Sequence, residues 1–340
     1  DVDVDEVEKK IERIFSDIPK AENPKPKDVI MIPDNEEPIV GVLTDPEQTT
    51  TQIEVLWKSE ATPEEYNSTI IGKLNDVMES IISQVMSERF SDITSDPSAP
   101  YLDAALQVGK MCETMDVVMG QVVVREGEAI PALTAFLTEI EKMKRFGFTE
   151  DEVERAKTNI LASYESAAKS ADTRQNPELV GELIYNFFDN ETYMEPEAEY
   201  ELIQQVLSMV TADVMNQTLP QLITDNNMVV LYKGTEKEGL SHPSESDLLD
   251  VIKAVRSADI EANETEELDK DLLNPSALKG SKVKKTAKGM YGSTVWYLKN
   301  GLKVVLLPTD YQKDQILFNL RKDGGESLIS TADLNSFEGN

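Results

Sequence analysis

The residues whose types could do chemistry are few and widely separated. At the start of the chain, Asp1, Asp3, Asp5 and Glu12 occupy the first, third, fifth and twelfth positions of a calcium-binding loop pattern. The sixth position of such a loop needs glycine for its sharp turn, and here it is Glu6. Because Glu12 also falls inside a helical period, the pattern favours the beginning of a helix over a calcium site.

The chain contains one histidine and one cysteine. His242 precedes Pro243 in an acidic segment and is interpreted as a solvated loop residue. Cys112 lies in an apolar stretch with only Lys110 as a nearby cation, so we expect a buried, unactivated thiol. A solitary imidazole excludes chemistry that needs two histidines, and a solitary thiol excludes an intrachain disulfide and a multi-thiolate metal site.

Two further patterns have simple structural interpretations. The acidic run Glu150–Glu154 falls in the first turn of a predicted helix, where negative charge suits the helix dipole. Gly324-Gly325 lacks the G-x-x-x-x-G-K or G-x-G-x-x-G spacing of a phosphate-binding loop. The sequence therefore assigns no catalytic and no metal-binding residue, and it leaves the substrate-binding residues unidentified.

The composition narrows the function classes. The 340 residues hold 33 Lys plus Arg against 64 Asp plus Glu, a formal net charge of −31, which argues against binding nucleic acid or an acidic membrane surface. A hydrophobic fraction of 40% predicts a folded protein. No apolar run reaches the roughly 18 residues that a membrane span needs, so we expect a soluble chain. The first residues show neither an initiator methionine nor a signal pattern, which suggests an internal piece of a longer protein.

The elements that would position a site begin with a short amphipathic helix and a proline-rich linker. The helix is predicted over Asp5–Phe15, and five prolines between Pro19 and Pro38 predict an extended linker at residues 20–37. Strands at Ile39–Thr44 and Thr51–Lys58 are predicted to form a hairpin. The capping-box pattern Thr62–Glu65 predicts that a long helix with one broad apolar face follows directly.

A complete domain is predicted over residues 38–234. Tyr101–Cys112 and Asp116–Arg125 favour a strand pair, although methionines at spacing four leave helix as the alternative. The remaining predicted elements are a helix over Ala129–Phe146 that ends at Gly147, a helix capped by Thr149, helices over Pro177–Phe188, Pro196–Val210 and Thr211–Ile223, and a buried strand over Met228–Lys233.

A charged connector is predicted over residues 235–290, and the first strands of another domain over residues 291–340. Strands at Thr294–Leu298 and Leu302–Leu307 flank Asn300-Gly301, a type I′ hairpin signal, and Ile316–Arg321 is predicted to be a third strand. With no helix following to cover them, these strands would be poorly ordered or would pair with a neighbouring molecule, giving a strand-mediated dimer.

Three stretches resemble the pitrilysin-type zinc peptidases, the inverzincin family that includes the mitochondrial processing peptidase subunits. The hairpin Leu298–Leu306 followed by a strand and Gly324-Gly325 is similar to the stretch that opens each half of those proteins. Gly147–Lys157 resembles the family's helix junction near the end of its second domain, and Asp3–Pro19 resembles the last helix of its first domain. The three stretches also occur in the family's order.

The resemblance implies an α+β fold, in which helices pack on one face of a mainly antiparallel sheet. It implies that residues 1–19 are the tail of a catalytic-type first domain and that residues 38–234 are a non-catalytic second domain. The family's H-x-x-E-H zinc motif is absent from this sequence, so no catalytic or metal position carries over.

The implied function is that of a non-catalytic segment of a zinc metalloendopeptidase that hydrolyses peptides, inactive on its own and supporting the chamber that encloses substrate. Zinc is implied for the parent protein alone, and the implied partners are a peptide substrate and the catalytic domain of the same chain. The alternative is a scaffold or binding subunit whose parent has lost its zinc site. The compartment stays open, with secreted and periplasmic parents as alternatives.

Overall fold

A computed structural model describes residues 2–26, 28–263, 276, 279–309, 316–322 and 324–330. It contains a five-stranded sheet of order β1-β5-β2-β4-β3 and a three-stranded sheet of order β6-β7-β8. The elements up to the second sheet are, in chain order, α1 (Val4–Phe15), β1 (Ile39–Asp45), β2 (Thr51–Glu60), α2 (Ile70–Thr94), β3 (Asp103–Cys112), β4 (Met115–Val124), α3 (Ala129–Phe146), α4 (Glu150–Lys169), α5 (Asn176–Asp189), α6 (Pro196–Met209), α7 (Ala212–Leu222), β5 (Met228–Thr235) and α8 (Glu245–Ser257). The second sheet consists of β6 (Val283–Lys288), β7 (Thr294–Leu298) and β8 (Lys303–Leu306).

One core lies between the larger sheet and the helices on one of its faces. Buried and half-buried residues alternate along β2 and β5, as expected when one face of a sheet is packed. Helices α2, α3 and α8 contribute their apolar faces to the same buried cluster. The α+β architecture with helices on one face of a mainly antiparallel sheet is therefore confirmed.

A close approach between α3 and β4 depends on a glycine. A Cβ atom placed on Gly120 would lie 2.2 Å from the Phe136 ring. Phe136 in turn stacks on Phe90 of α2, with 5.3 Å between ring centroids. Glycine at this position lets the aromatic pair pack directly against the sheet.

The predicted hairpin between the first two strands is wrong. Strand β5 lies between them, pairing in parallel with β1 and antiparallel with β2. The sheet is therefore mixed. Local turn chemistry suggested the hairpin, but β5 follows much later in the sequence, and only the folded chain brings it between these strands.

The long helix begins later than its sequence pattern indicates. Pro63 has extended backbone angles and is followed by a single 3₁₀ turn at Glu64–Tyr66. The actual N-cap of α2 is Thr69, whose hydroxyl accepts a hydrogen bond from Gly72 N. Thr62 instead donates through its backbone N and its hydroxyl to Asp116 of β4, at 2.8 and 2.9 Å. A long-range carboxylate thus takes the place of the predicted capping box.

The strand pair β3–β4 confirms the strand interpretation of the methionine-rich stretch. Helix α3 ends as predicted at Gly147, where φ is 72° and ψ is −154°. The capping box between Thr149 and Glu152 is present at the start of α4. These local signals succeeded because the groups involved lie within a few residues of one another.

The charged stretch 235–290, predicted as a connector, contains regular secondary structure in two places. Residues 245–257 form α8, which begins with a capping box at Ser244 and buries Leu248, Val251, Ile252 and Val255. The lysine-rich stretch 283–288 forms β6 and pairs with β7. High charge on the exposed positions concealed the apolar period of α8.

The small sheet differs in detail from its sequence pattern. Gly301 has a φ of 91°, whereas Asn300 is not among the residues with positive φ, so the turn is not type I′. Leu298 N donates to Leu302 O, and Gly301 N donates to Leu298 O. Residues 316–321 have no regular secondary structure, so Ile316–Arg321 is not the third strand, and β6 takes that place.

Candidate functional site

The residues considered first for metal chemistry do not form a metal site. Across the described ranges, no group of three or more His, Cys, Asp or Glu side chains is placed to hold a metal ion. His242 lies beside Tyr232, whose hydroxyl is 2.9 Å from the imidazole Nδ1. Asp3 caps α1 by accepting a hydrogen bond from Glu6 N, and Asp1 lies outside the described residues. The described residues therefore offer no site for the zinc that the resemblance implies for the parent protein.

The expectation that Cys112 is a buried thiol is wrong. It is exposed at the end of β3, and its Sγ lies 3.7 Å from the hydroxyl of Thr114. The apolar sequence around it does not imply burial: β4 buries most of its apolar residues, whereas the last residues of β3 extend beyond the core. The thiol lies on the wall of a surface cleft described below.

The face of the larger sheet opposite the helices is one candidate surface. Cross-strand pairing places one residue from each of four strands in a row on this face: Ile39, Val229, Leu56 and Met119. None of the four belongs to the buried core, and Ile39 is 51% exposed. The next positions along the strands are mixed, with an ion pair of 2.6 Å between Lys233 and Glu54. The face offers apolar and polar groups side by side.

The second candidate is an acidic cleft of about 580 Å³ near the N-terminal end of α2. Its walls are the 3₁₀ turn, the first turns of α2, the tip of the β3–β4 hairpin and the C-terminal end of α5. Seven carboxylates and one lysine line it: Glu64, Asp76, Glu79, Glu113, Asp116, Asp189, Glu191 and Lys110. Lys110 is paired with Asp189 at 3.0 Å and lies 3.7 Å from Glu64.

Glu79 is the most perturbed of these carboxylates. Its side chain projects from α2 toward the backbone of Gly109 in β3. Burial, reinforced by the charges of Asp76 and Asp116, raises the pKa of Glu79 to about 7. Burial likewise raises the pKa values of Asp76 and Glu191. The carboxylates of the cleft therefore repel one another and are poorly stabilised as anions. A bound cation would reduce this repulsion.

Helix α5 adds an exposed apolar surface to the cleft. None of its residues is buried. Tyr185 and Phe188 line the cleft and are 56% and 68% exposed. Asn67 Nδ2 donates to Asp189 O at 2.7 Å, and Asn190 Nδ2 donates to Glu64 O at 3.0 Å. The helix is thus anchored at its C-terminal end, with its aromatic residues facing outward.

Sequence reasoning identified neither surface. The apolar period of α5 predicted a helix, but an apolar stripe of this kind normally indicates a buried face. A signal for the cleft was present, since acids cluster in four separate segments of the chain. Only the tertiary structure shows that these four segments meet.

Comparison with known proteins supports the fold and the family resemblance. Residues 1–160 match the family described as the peptidase M16 inactive domain. This match covers slightly less than half of the chain, and it confirms the resemblance to the pitrilysin-type, or M16, peptidases. Its single histidine cannot supply the H-x-x-E-H motif, which agrees with an inactive domain of that family.

The proteins that this chain resembles are longer. A protein of Arabidopsis thaliana described as zinc protease PQQL-like is 23% identical over 198 residues, a match that covers 57% of this chain and 20% of that protein. The periplasmic protease PqqL from Escherichia coli matches with a TM-score of 0.66 and 16% identity, over 93% of this chain and 34% of that chain. The first half of the same protease matches with a TM-score of 0.64, over 78% of this chain and 56% of that chain.

The chain thus spans about a fifth of the Arabidopsis protein, a third of whole PqqL and just over half of the PqqL first half. At such identities the structural matches show a shared fold. In the part of the chain that the structure describes, no helix combines the length and apolar character needed to cross a membrane.

Proposed function

We propose that this chain is the non-catalytic segment of an M16 zinc metalloendopeptidase and that it forms part of the wall enclosing a peptide substrate. The observation that carries the proposal is the sheet face opposite the helices. Its row of apolar residues is exposed or half-buried, whereas the other face of the same sheet packs against the core through β2, β4 and β5. A surface that presents apolar and polar groups together suits contact with a second domain and with varied peptides.

The proposed arrangement places residues 1–19 at the end of a catalytic-type domain and residues 20–37 in a linker. The non-catalytic domain follows from residue 38, and its packed part includes α8. Residues 291–340 belong to the beginning of a further domain. The structural matches support this order, because the chain is covered to 93% by whole PqqL and to 78% by its first half.

The ends of the sheet offer a second kind of peptide contact. Strands β1 and β3 are its two edges, so each has backbone groups that face away from the sheet. An extended peptide adds to such an edge through main-chain hydrogen bonds, with little demand on its sequence. This mode of binding suits an enzyme that takes unfolded peptides as substrates.

Peptidase assays on this chain and on its longer reading frame test the proposal. We expect no hydrolysis of unstructured peptides by the isolated chain with added zinc, and zinc-dependent hydrolysis by the longer protein. Leu56→Glu on the proposed inner face should lower the activity of the longer protein, whereas Glu201→Gln on the exposed side of α6 should not. Metal-dependent turnover by the isolated chain would contradict the proposal.

The alternative function is separated by the same experiment. If the longer protein has no zinc motif and no peptidase activity but still binds peptides, the chain is part of a scaffold or binding subunit. Pairing of the small sheet with a second copy stays a prediction. Light scattering of the isolated chain tests it, and a strict monomer with well-protected amides in Val295–Leu307 would contradict it.

A further inference from the structure

The acidic cleft and the exposed aromatic residues of α5 form one continuous surface. Tyr185 and Phe188 contribute aromatic rings to a wall otherwise dominated by carboxylates. On the adjoining face of α5, Val180, Leu183, Ile184 and Phe187 recur at helical spacing and are 49 to 80% exposed. Apolar side chains in this number on a helix without a single buried residue are expected to contact a partner.

The charge of the cleft specifies the chemistry of that partner. Seven carboxylates face one lysine, and that lysine is already paired with Asp189. The C-terminal end of α5 also lies at the cleft, where the helix dipole adds negative potential. An anionic or neutral occupant would leave this repulsion in place, whereas lysine or arginine side chains would compensate it.

Aromatic rings beside carboxylates strengthen the preference for cations. A lysine or arginine side chain can place its charge near a carboxylate and over the face of a ring at the same time. Its aliphatic stem would cover apolar surface on Tyr185 or Phe188. Glu79 and Glu191 are suited to the charged end, since none of their carboxylate oxygens takes part in a hydrogen bond or ion pair found in the described residues.

We propose that this cleft, together with the adjoining face of α5, binds unstructured peptide segments that carry lysine or arginine side chains interspersed with apolar ones. The volume of about 580 Å³ accommodates a few side chains, so the cleft would hold one short segment of a longer peptide. The proposal rests on the proposed function only in taking a peptide as the occupant. Binding is measured directly on the intact chain, so a failure of the peptidase assay leaves this test unaffected.

Fluorescence anisotropy with a labelled peptide tests the proposal. The probe is a short peptide in which arginine and leucine alternate with glycine and serine. The two control peptides replace all arginines by glutamate or all leucines by serine. We expect the arginine–leucine peptide to bind more tightly than either control, with an affinity that falls as the salt concentration rises.

Substitutions in the intact chain locate the binding site. Phe188→Ala and Tyr185→Ala should each weaken binding about tenfold, as expected for aromatic anchors at an interface. Glu79→Gln combined with Glu191→Gln should weaken binding and reduce its dependence on salt. The matched control is Glu201→Gln, on the exposed side of α6, which should bind within about twofold of the parent chain.

Each contrary outcome would overturn the proposal. Equal binding of the arginine and glutamate peptides would contradict the charge argument. Unchanged binding after Phe188→Ala and Tyr185→Ala would place the site elsewhere. Failure of the peptide to bind would refute the proposal, and a dimer in light scattering that Phe187→Ala converts to a monomer would assign α5 to a contact between copies.

Discussion

Arg89 on α2 and Glu152 on α4 form a bidentate ion pair, with Nε–Oε1 and Nη2–Oε2 distances of 2.7 and 3.0 Å. The two side chains are only 9% and 14% exposed. Arg89 also donates to Gly147 O and lies over the ring of Phe148 at 5.2 Å. The pair therefore joins the end of α3, the beginning of α4 and the C-terminal part of α2 at one buried point.

Removal of one partner of this pair should be costly. Arg89→Met would leave a buried carboxylate without its partner, so we expect the free energy of unfolding to fall by about 3–5 kcal/mol. Arg155 and Glu88 join the same two helices, but both side chains are more than 40% exposed. Arg155→Met should cost at most about 1 kcal/mol. Urea denaturation measures both values, and equal losses would show that burial does not determine the strength of these pairs.

The same pair predicts loss of stability in acid. Burial alone would raise the pKa of Glu152, but the hydrogen bonds from Arg89 and Thr149 lower it below its usual 4.5. A depressed folded-state pKa gives stability that is present above pH 4.5 and is lost as pH falls through the folded value. We expect Glu152→Gln to be less stable than the parent chain at neutral pH, and we expect this difference to shrink as the pH is lowered below 4.5. Thermal melts at several pH values measure this, and a cost that does not change with pH would contradict it.

Ionisation of Glu79 should lower the stability of the chain, whereas ionisation of Glu152 raises it. Its pKa is about 7 in the folded chain and 4.5 in the unfolded chain, so the folded state binds more protons between these values. Stability therefore falls as pH rises from 4.5 to 7. Glu79→Gln removes this penalty and should stabilise the chain at pH 8 by about 1–3 kcal/mol relative to the parent, with little gain at pH 4.

The groups around Glu79 also titrate, so the comparison must be made between variants at each pH. The charged and titratable groups in the cleft are Asp76 on α2, Glu64 on the 3₁₀ turn, Lys110 and Glu113 at the hairpin, Asp116 on β4, and Asp189 and Glu191 at the end of α5. The exposed control Glu201→Gln should not change the pH profile. A stabilisation by Glu79→Gln that is equal at pH 4 and pH 8 would show that ionisation of Glu79 is not its cause.

Gly147 should be much less tolerant of substitution than Gly127. Both have a positive φ, of 72° and 81°, which disfavours any residue with a Cβ atom. At Gly147 that atom would also lie 2.2 Å from Asn216 Oδ1, whereas nothing lies within 4 Å at Gly127. Asn216 holds the backbone of Phe148 by two hydrogen bonds. We expect Gly127→Ala to cost about 1 kcal/mol and Gly147→Ala clearly more in chemical denaturation.

Truncation of an apolar residue should be costly in a core helix and nearly neutral in α5. Phe136→Ala on α3 removes a fully buried ring and should cost about 3–5 kcal/mol. Phe187→Ala on α5 removes a ring that is 80% exposed and should change stability by less than about 0.5 kcal/mol. A loss of several kcal/mol at Phe187 would mean that α5 packs against the domain, and it would remove the basis for a docking surface.

The sequence predicted those elements whose signals are local. Helix α3 has the predicted bounds, and the Thr149 capping box formed because its partner, Glu152, lies only three residues away. At Thr62 the same type of pattern failed, because Asp116 of β4 offered the threonine stronger hydrogen bonds. The parallel pairing of β1 with β5 and the packing of α8 also depend on residues far apart in sequence.

By itself, the amino-acid sequence determined the composition-level facts about this protein: an acidic chain with one imidazole, an α+β pattern, and the motif stretches that resemble M16 peptidases. These follow from residue types and short spacings, which folding does not alter. The tertiary structure alone decided which strands are neighbours, that Cys112 is exposed, and that carboxylates from four segments meet beside the rings of α5. Such proximities arise because burial of one shared core fixes the positions of elements that are distant along the chain.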